Sequence, residues 1–237
     1  MSRDLTLARL ISRVDVHPKS LEYHSNRIPW GGALYPSKYD HWEINQKSLT
    51  LRNTDGRTEV SSEGGFVASR ADRPEDVDAI RDECVEVFES FLADVAPNAK
   101  PVRFGWRTTF VTEGSSFDEL FPEFRKGAAR HEKDWMRIGS LPIRDLGYVN
   151  VHYGTPLDGL NLSTGVFTPE QVGPVNVDAE KFTVHEDSRL DIANGCLMID
   201  LDRYVAGPDG IEPRARIRSW HEELMGIAQR LVRDLLK

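Results

Sequence analysis

The sequence predicts an α+β protein in which antiparallel sheet carries two long amphipathic helices on one face. Three observations carry this prediction: several segments alternate apolar and polar residues, Asp55-Gly56 marks a hairpin, and two segments repeat apolar residues at helical spacing. Groups of strands that each end in a helix favour antiparallel sheet with one covered face. We predict a single globular unit over 1–237. Within this unit, a pseudo-duplicated, ferredoxin-like plan would give two similar sub-halves at about 1–112 and 113–237.

The first part of the chain holds four segments before the first predicted helix. Leu5–Val16 fits both helical and strand spacing, so its conformation stays open. Proline and glycine among aromatic residues predict a loop over Ile28–Pro36. Alternation predicts strands over Trp42–Arg52 and Thr58–Arg70, joined through the Asp-Gly turn.

The two amphipathic helices are predicted over Pro74–Val95 and Pro213–Leu236. In each, apolar residues recur three and four positions apart, which places them on one side of a helix. These residues are Val77, Ile80, Cys84, Val87, Phe88, Phe91 and Val95 in the first helix, and Ile217, Trp220, Leu224, Ile227, Leu231 and Leu235 in the second. Each helix should therefore bury one stripe and expose one charged face.

Between these helices, Lys100–Thr112 alternates cleanly and predicts a half-buried strand. The residues from Ser115 to Glu119 resemble the start of a helix, and Phe117–Trp135 should hold one or two short helices. Further strands are predicted over Leu146–Tyr153, Leu160–Phe167, Glu180–Asp187 and Arg189–Tyr204.

The totals bound the function classes. The 237 residues carry a formal net charge of −8, which disfavours nucleic-acid binding because affinity for phosphates depends on an excess of Lys and Arg. No apolar run reaches signal-peptide or membrane-span length, so we expect a cytoplasmic protein that does not bind membranes. Cys84 and Cys196 are too few for a disulfide framework and are expected to be buried thiols.

Two motifs resemble a sporadically distributed bacterial family of uncharacterised proteins of about this length. Arg103-Phe-Gly105-Trp106-Arg107-Thr-Thr is similar to the family's Arg-x-Gly-Leu-Arg-Tyr-x-Asn strand, and Met198-Ile-Asp200-Leu-Asp202-Arg-Tyr204 is similar to its late Asp-x-Asp-x-Tyr strand. The chain departs from the first pattern with Trp106 in place of Leu, Thr108 in place of Tyr and no matching Asn. The family has no established activity, so the resemblance implies none.

The candidate ligand site comes from residues that share strand faces. Arg103 and Arg107 are four residues apart in an alternating strand, so both point the same way, with Gly105 leaving space between them. Asp200 and Asp202 likewise share a face, and a third polar row holds Tyr148, Asn150 and His152. Aligned rows would bring Arg103, Arg107, His152, Asp200 and Asp202 to one patch.

Three interpretations of this patch stay open. The first is a solvated face of the sheet. The second is an anion or nucleotide pocket in which Arg103 and Arg107 bind a carboxylate or phosphate. The third is a magnesium site built on Asp200 and Asp202 with Asp187 or Asp191. The scattered histidines show no zinc spacing, and no cofactor or metal is predicted.

Two functions follow as hypotheses. The first is a non-catalytic binding or accessory component of a multi-protein system, in which Trp30 and Tyr35 contact a protein partner from the loop over Ile28–Tyr39, with Trp30 as the exposed residue. The alternative for these aromatic residues is that they pack back onto the body of the protein. The second is a protein that binds a small anion or nucleotide through the polar sheet face. One form of this hypothesis is a metal-assisted hydrolase. The sequence contains no phosphate-binding loop, dinucleotide fingerprint or nucleophile elbow.

Overall fold

The computed structural model describes residues 4–53, 57–112, 115–130, 148–169, 171, 194–207 and 211–236. Within these ranges, one antiparallel sheet of nine strands packs against four α-helices. The strands are β1 (Leu5–His17), β2 (His41–Ile44), β3 (Ser48–Arg52), β4 (Thr58–Glu63), β5 (Phe66–Asp72), β6 (Lys100–Thr112), β7 (Tyr148–Gly154), β8 (Asp158–Phe167) and β9 (Cys196–Ala206). The helices are α1 (Tyr23–Leu34), α2 (Val77–Ser90), α3 (Phe117–Arg130) and α4 (Pro213–Leu235), and a π-helix (Phe91–Val95) continues α2.

The strand order across the sheet is β2-β3-β4-β5-β1-β6-β9-β8-β7. The helices all lie on one face, where alternate residues of the strands join a single apolar core that includes Leu10, Val14, Phe104 and Ile199. The intervening residues of the same strands point to the opposite face, which we call the open face because none of the four helices packs there. The predicted α+β class with antiparallel sheet is confirmed.

The ambiguous segment at the start of the chain forms the central strand β1. Leu10, Val14 and Val16 point into the core, and the Ser12 hydroxyl, between them, donates to the Cys84 sulfur at 3.2 Å. Since a buried serine in this position has a hydrogen-bond partner, the strand tolerates a polar residue on its core face.

The loop predicted over Ile28–Pro36 is wrong, because most of it belongs to α1. Gly31 lies where a Cβ would be 2.6 Å from Cδ2 of Leu49, so this glycine permits close approach of the helix to β3. Pro29 lies inside the helix. The glycine and proline that suggested a turn therefore serve helix packing, since tertiary contacts override the local preference.

Each of the two strands predicted after α1 is in fact a hairpin. The first turns at residues 45–47, where the Asn45 side chain accepts from the backbone N–H groups of Lys47 and Ser48, both at 2.9 Å. The second turns at Gly64-Gly65. The predicted Asp55-Gly56 turn between the hairpins lies outside the described residues.

The central strand β6 and the helix α2 lie close to their predicted positions. β6 has the predicted bounds, while α2 begins at Val77 and is capped by Asp76, whose side chain accepts from the Ala79 N–H at 3.0 Å. The strand predicted over Glu180–Asp187, like residues 131–147, lies outside the described residues. Both cysteines are buried free thiols, as expected. Among the described helices, none combines the length and apolar character that spanning a membrane requires.

Candidate functional site

One transverse row of side chains crosses the open face and takes one residue from every strand. The cross-strand register aligns, from β2 to β7, His41, Arg52, Glu59, Arg70, Ile11, Arg107, Asp202, Asn161 and His152. The predicted alignment of polar rows is therefore present in the register of the sheet. It joins Arg107 to Asp202 directly and reaches His152 through Asn161.

Arg107 is held by Asp200, the residue two positions before its register partner. Its Nε donates to Oδ1 at 2.9 Å and its Nη2 to Oδ2 at 2.6 Å, a two-point contact, and the Thr109 hydroxyl donates to the same carboxylate at 3.0 Å. Asp200 is 6% exposed. Burial alone lowers the pKa of Arg107, but the Asp200 charge and hydrogen bonds outweigh it and raise that pKa. The Nε and Nη2 edge of this guanidinium is therefore occupied by its carboxylate.

Asp202 makes a weaker set of contacts that leads to His152. Asn161 donates from Nδ2 to Asp202 Oδ2 at 3.2 Å, so Asn161 Oδ1 is the acceptor for His152 Nδ1 at 2.6 Å. Burial raises the pKa of Asp202, and the Asp200 charge acts in the same direction, although Arg107, Arg103 and the Asn161 hydrogen bond oppose it. The two neighbouring aspartates thus differ in how well their negative charge is compensated.

Gly105 leaves a small open recess beside Asp202, which we call the Gly105 recess. Among the described residues, a Cβ at this position would meet one atom within 4 Å, Asp202 Oδ1 at 3.7 Å. The register neighbours of Gly105 lean away from it. Arg13 packs its guanidinium 4.0 Å from the centre of the Phe66 ring, and Tyr204 lies against Gly159, with its hydroxyl donating to the Thr155 carbonyl at 2.9 Å.

Arg103 borders the recess as its most accessible cation. Its guanidinium carbon lies 5.6 Å from the centre of the Tyr204 ring, and its Nη1 is 3.6 Å from Asp15, which also pairs with Arg13 at 2.6 Å. The Arg103 side chain is 38% exposed, compared with 22% for Arg107. An ion pair this long and exposed contributes little, so Arg103 can exchange its partner at low cost.

The five predicted ligand residues share one face but do not meet at one point. Arg103, Arg107 and Asp202 surround the recess, and Asp200 lies behind Arg107. His152 lies two strands beyond Asp202, or about 10 Å at the usual strand spacing. Sequence reasoning did not select Asn161 or Tyr204. The alternation around Leu160 and Leu162 could have placed Asn161 on the polar face, but the register that makes it a bridge is a tertiary property.

The other arginines of the open face are also paired with carboxylates. Arg9 binds Asp72 with its Nε at 2.5 Å, Arg70 lies 3.6 Å from Glu59, and Arg52 lies 3.1 Å from Glu43. Within the described residues, no group of three or more His, Cys, Asp or Glu side chains could hold a metal ion. Asp187 and Asp191, named in the magnesium interpretation, lie outside those residues.

The two predicted partner-binding aromatics differ in accessibility. The expectation that Trp30 is exposed is wrong, because its side chain is 2% exposed, lies 5.5 Å from the Phe91 ring and donates its Nε1–H to Ser90 Oγ at 2.9 Å. α1 turns this residue toward the core, where an aromatic gains most from burial. Tyr35 instead stacks on Trp42 at 5.7 Å, with ring planes 14° apart, and Trp42 is 40% exposed.

Fold and site together define an antiparallel α+β protein with one sheet face packed against the four described helices and an opposite face that carries ion pairs and a small buried apolar cluster. No protein-family model matches the chain, and no curated protein matches it. Among solved structures, the chain is similar to Methanococcus jannaschii TBP, with a TM-score of 0.36 and 9% identity, covering 95% of this chain and 99% of that one.

Proposed function

We propose that this protein is a non-catalytic binding protein that holds a small ligand in the Gly105 recess. The ligand carries an anionic group, which Arg103 binds, and an N–H donor a few ångströms away, which Asp202 Oδ1 accepts. The observation that carries the proposal is the open space over Gly105, where the half-buried Asp202 contributes the nearest atom of the described residues, its Oδ1, at 3.7 Å. Small zwitterions such as amino acids carry both an anionic group and an N–H donor. Nucleotides also carry both, but they are larger molecules with the two groups farther apart.

The difference in pairing and exposure between Arg107 and Arg103 supports this ligand class. Arg107 is held by Asp200 at 2.6 Å, so it positions the carboxylates and adds positive potential. Arg103 is more exposed and its pairing with Asp15 is long, at 3.6 Å. A ligand anion can therefore replace or join Asp15, and an ion pair partly shielded from water gives a stronger contact than one in bulk solvent.

A binding role without catalysis fits the hydrogen bonding of the candidate groups. The His152 imidazole contacts Asn161 at 2.6 Å and lies two strands from Asp202, so it is too far to act on a ligand in contact with Gly105. Arg107 and Asp200 orient each other through their two-point contact, which leaves Arg103 and Asp202 as the groups that contact the ligand.

Isothermal titration and thermal shift with a panel of amino acids, inorganic phosphate and nucleotides test the proposal. We expect a zwitterion to raise the melting temperature of the natural chain, and Gly105→Val to abolish the shift because the new side chain fills the recess. Gly105→Val should itself fold normally, since a β-branched residue suits a strand and the space is open.

Ser61→Val is the matched control, because Ser61 occupies the same transverse line on the other side of β1, opposite Ala68. Binding should survive this change. The proposal fails if no member of the panel shifts the melting temperature, or if Gly105→Val and Arg103→Met bind as the natural chain does.

A second candidate function is an accessory role in a multi-protein assembly. The stacked Tyr35 and Trp42 rings favour it, because they keep a large aromatic side chain exposed in a fixed orientation on a terminal strand of the sheet. This candidate predicts that Trp42 substitutions change the assembly state of the protein and leave ligand binding at Gly105 unaltered.

We also propose that the chain is pseudo-duplicated around the β1–β6 junction, with α2 and α4 as the two long amphipathic helices. The order strand, helix, strands, helix occurs first through β1, α1, β2 to β5 and α2, and again through β6, α3, β7 to β9 and α4. The strand order runs outward from β1 and β6 in both directions, which supports this proposal.

A further inference from the structure

Among the described strands, β2 is terminal in the sheet, and its four residues are all exposed. It begins at His41, after the turns that follow α1, and it pairs on one side with β3. Terminal strands present unpaired backbone groups that can accept another strand, and proteins commonly block them with lysine, proline or a cover. β2 has the sequence His-Trp-Glu-Ile, which contains neither lysine nor proline.

The phase of the backbone hydrogen bonds shows which residues of β2 face outward. The Asn45 N–H donates to the Ser48 carbonyl at 3.1 Å, so residue 45 points its backbone groups toward β3. Direction alternates along an antiparallel strand, so Glu43 and His41 also point inward, and Trp42 and Ile44 point their N–H and C=O groups away from the sheet. These two residues are also the exposed apolar ones, at 40% and 38%.

We propose that β2 pairs with β2 of a second copy of this chain, which would join the two sheets across a twofold axis. The inference rests on the second candidate function, a protein-docking surface at Tyr35 and Trp42, and it names the partner. The axis passes beside Trp42, so Trp42 exchanges both backbone hydrogen bonds with its symmetry mate. Such an interface is isologous, because the same patch serves both chains.

The charges of β2 select this register over its neighbour. With Trp42 opposite its own copy, His41 lies opposite Glu43 of the other chain on the open face, and the two Trp42 rings meet on the opposite face. In the neighbouring register that keeps the side-chain faces aligned, the twofold axis passes beside Glu43 and Glu43 lies opposite its own copy. Like charges directly across a strand pair are unfavourable. Glu43 already pairs with Arg52 at 3.1 Å, and a carboxylate can accept from a second donor.

The Tyr35 and Trp42 stack prepares this surface before the chains meet. Parallel rings at 5.7 Å limit the rotamers of Trp42, so little side-chain freedom is lost on pairing. On the same face Ile44 extends the apolar strip. The pairing thus combines backbone hydrogen bonds, aromatic contact and two symmetric His41–Glu43 contacts.

Sedimentation equilibrium over a concentration series tests the pairing. We expect the natural chain to shift from the mass of one chain toward that of two as concentration rises, and Trp42→Lys to keep the mass of one chain throughout. Tyr153→Lys is the matched control, because Tyr153 is an exposed aromatic, 49% exposed, on the other terminal strand. It should dimerise as the natural chain does.

A charge exchange tests the register. Glu43→Lys should weaken the dimer by about tenfold or more, which corresponds to about 1.4 kcal/mol, and the double variant His41→Glu with Glu43→Lys should restore it. Because both variants lose the contact of Glu43 with Arg52, the recovery isolates the contact between chains. A single-chain mass for the natural protein at several hundred micromolar overturns the inference, as does a dimer that survives Trp42→Lys. Neither result affects the Gly105 proposal, since ligand binding is measured separately on the same variants.

Discussion

At the residue scale, two aspartates of identical chemistry and shared orientation acquire different environments. Asp200 receives two guanidinium contacts from Arg107 and one hydroxyl from Thr109, whereas Asp202 receives one amide hydrogen bond from Asn161. Alternation along the strand was enough to predict that both aspartates share a face. It could not distinguish them, because the distinction depends on partners more than 40 residues away whose register the sequence does not reveal.

The raised pKa of Asp202 leads to a prediction about stability and pH. The folded chain binds the Asp202 proton more tightly than the unfolded chain, whose carboxyl has the ordinary pKa of 3.8, so stability decreases as pH rises between these two pKa values and stays reduced above them. We expect Asp202→Asn to be more stable than the natural chain at pH 7, with the difference narrowing as pH falls toward 3.8. Urea unfolding at several pH values measures it.

Asp200→Asn is the matched comparison on the same strand. It leaves the Arg107 guanidinium without its charged partner and should destabilise the protein at pH 7 by about 3 kcal/mol. A stability difference for Asp202→Asn that stays constant with pH would contradict the assignment of a raised pKa to Asp202.

At the element scale, α1 shows why local composition misled. Glycine, proline and aromatic residues within Ile28–Pro36 are typical of loops, yet the helix forms because Trp30 is buried and Gly31 lets the helix approach Leu49. By contrast, Lys100–Thr112 was predicted with its bounds, since alternation over 13 residues is a strong local signal.

The two adjacent glycines of α1 give a paired prediction. Gly31→Ala places a Cβ 2.6 Å from Leu49 Cδ2 and should cost about 1–3 kcal/mol through overpacking. Gly32→Ala meets no atom within 4 Å and should stabilise the protein by about 0.5–1 kcal/mol, because alanine loses less backbone entropy in a helix. Urea unfolding of both variants measures the contrast, and equal effects would argue against close packing as the reason for Gly31.

At the scale of the whole molecule, the sheet is continuous because β1 and β6 pair along nearly their whole length, from Leu5 opposite Thr112 to His17 opposite Lys100. The groups of strands and the helices that close them could be predicted from periodicity. The joining of the groups could not, because cross-strand pairing between segments some 95 residues apart depends on the assembled core. The same core, with α2, α4 and both central strands in one cluster, couples the two parts energetically.

This coupling predicts that the protein unfolds in one transition although it contains two successive sets of elements. Leu224→Ala, a cavity variant in the core-facing side of α4, should lower stability by about 2–5 kcal/mol and move the entire urea curve to lower concentration without changing its slope. Far-UV circular dichroism and tryptophan fluorescence should report the same midpoint. Trp30 lies in the first set and Trp220 in the second, so fluorescence samples both. If the sets were independent, the curve of Leu224→Ala would split, with one phase keeping the natural midpoint, and the β1–β6 junction would then be a contact between separate folding units.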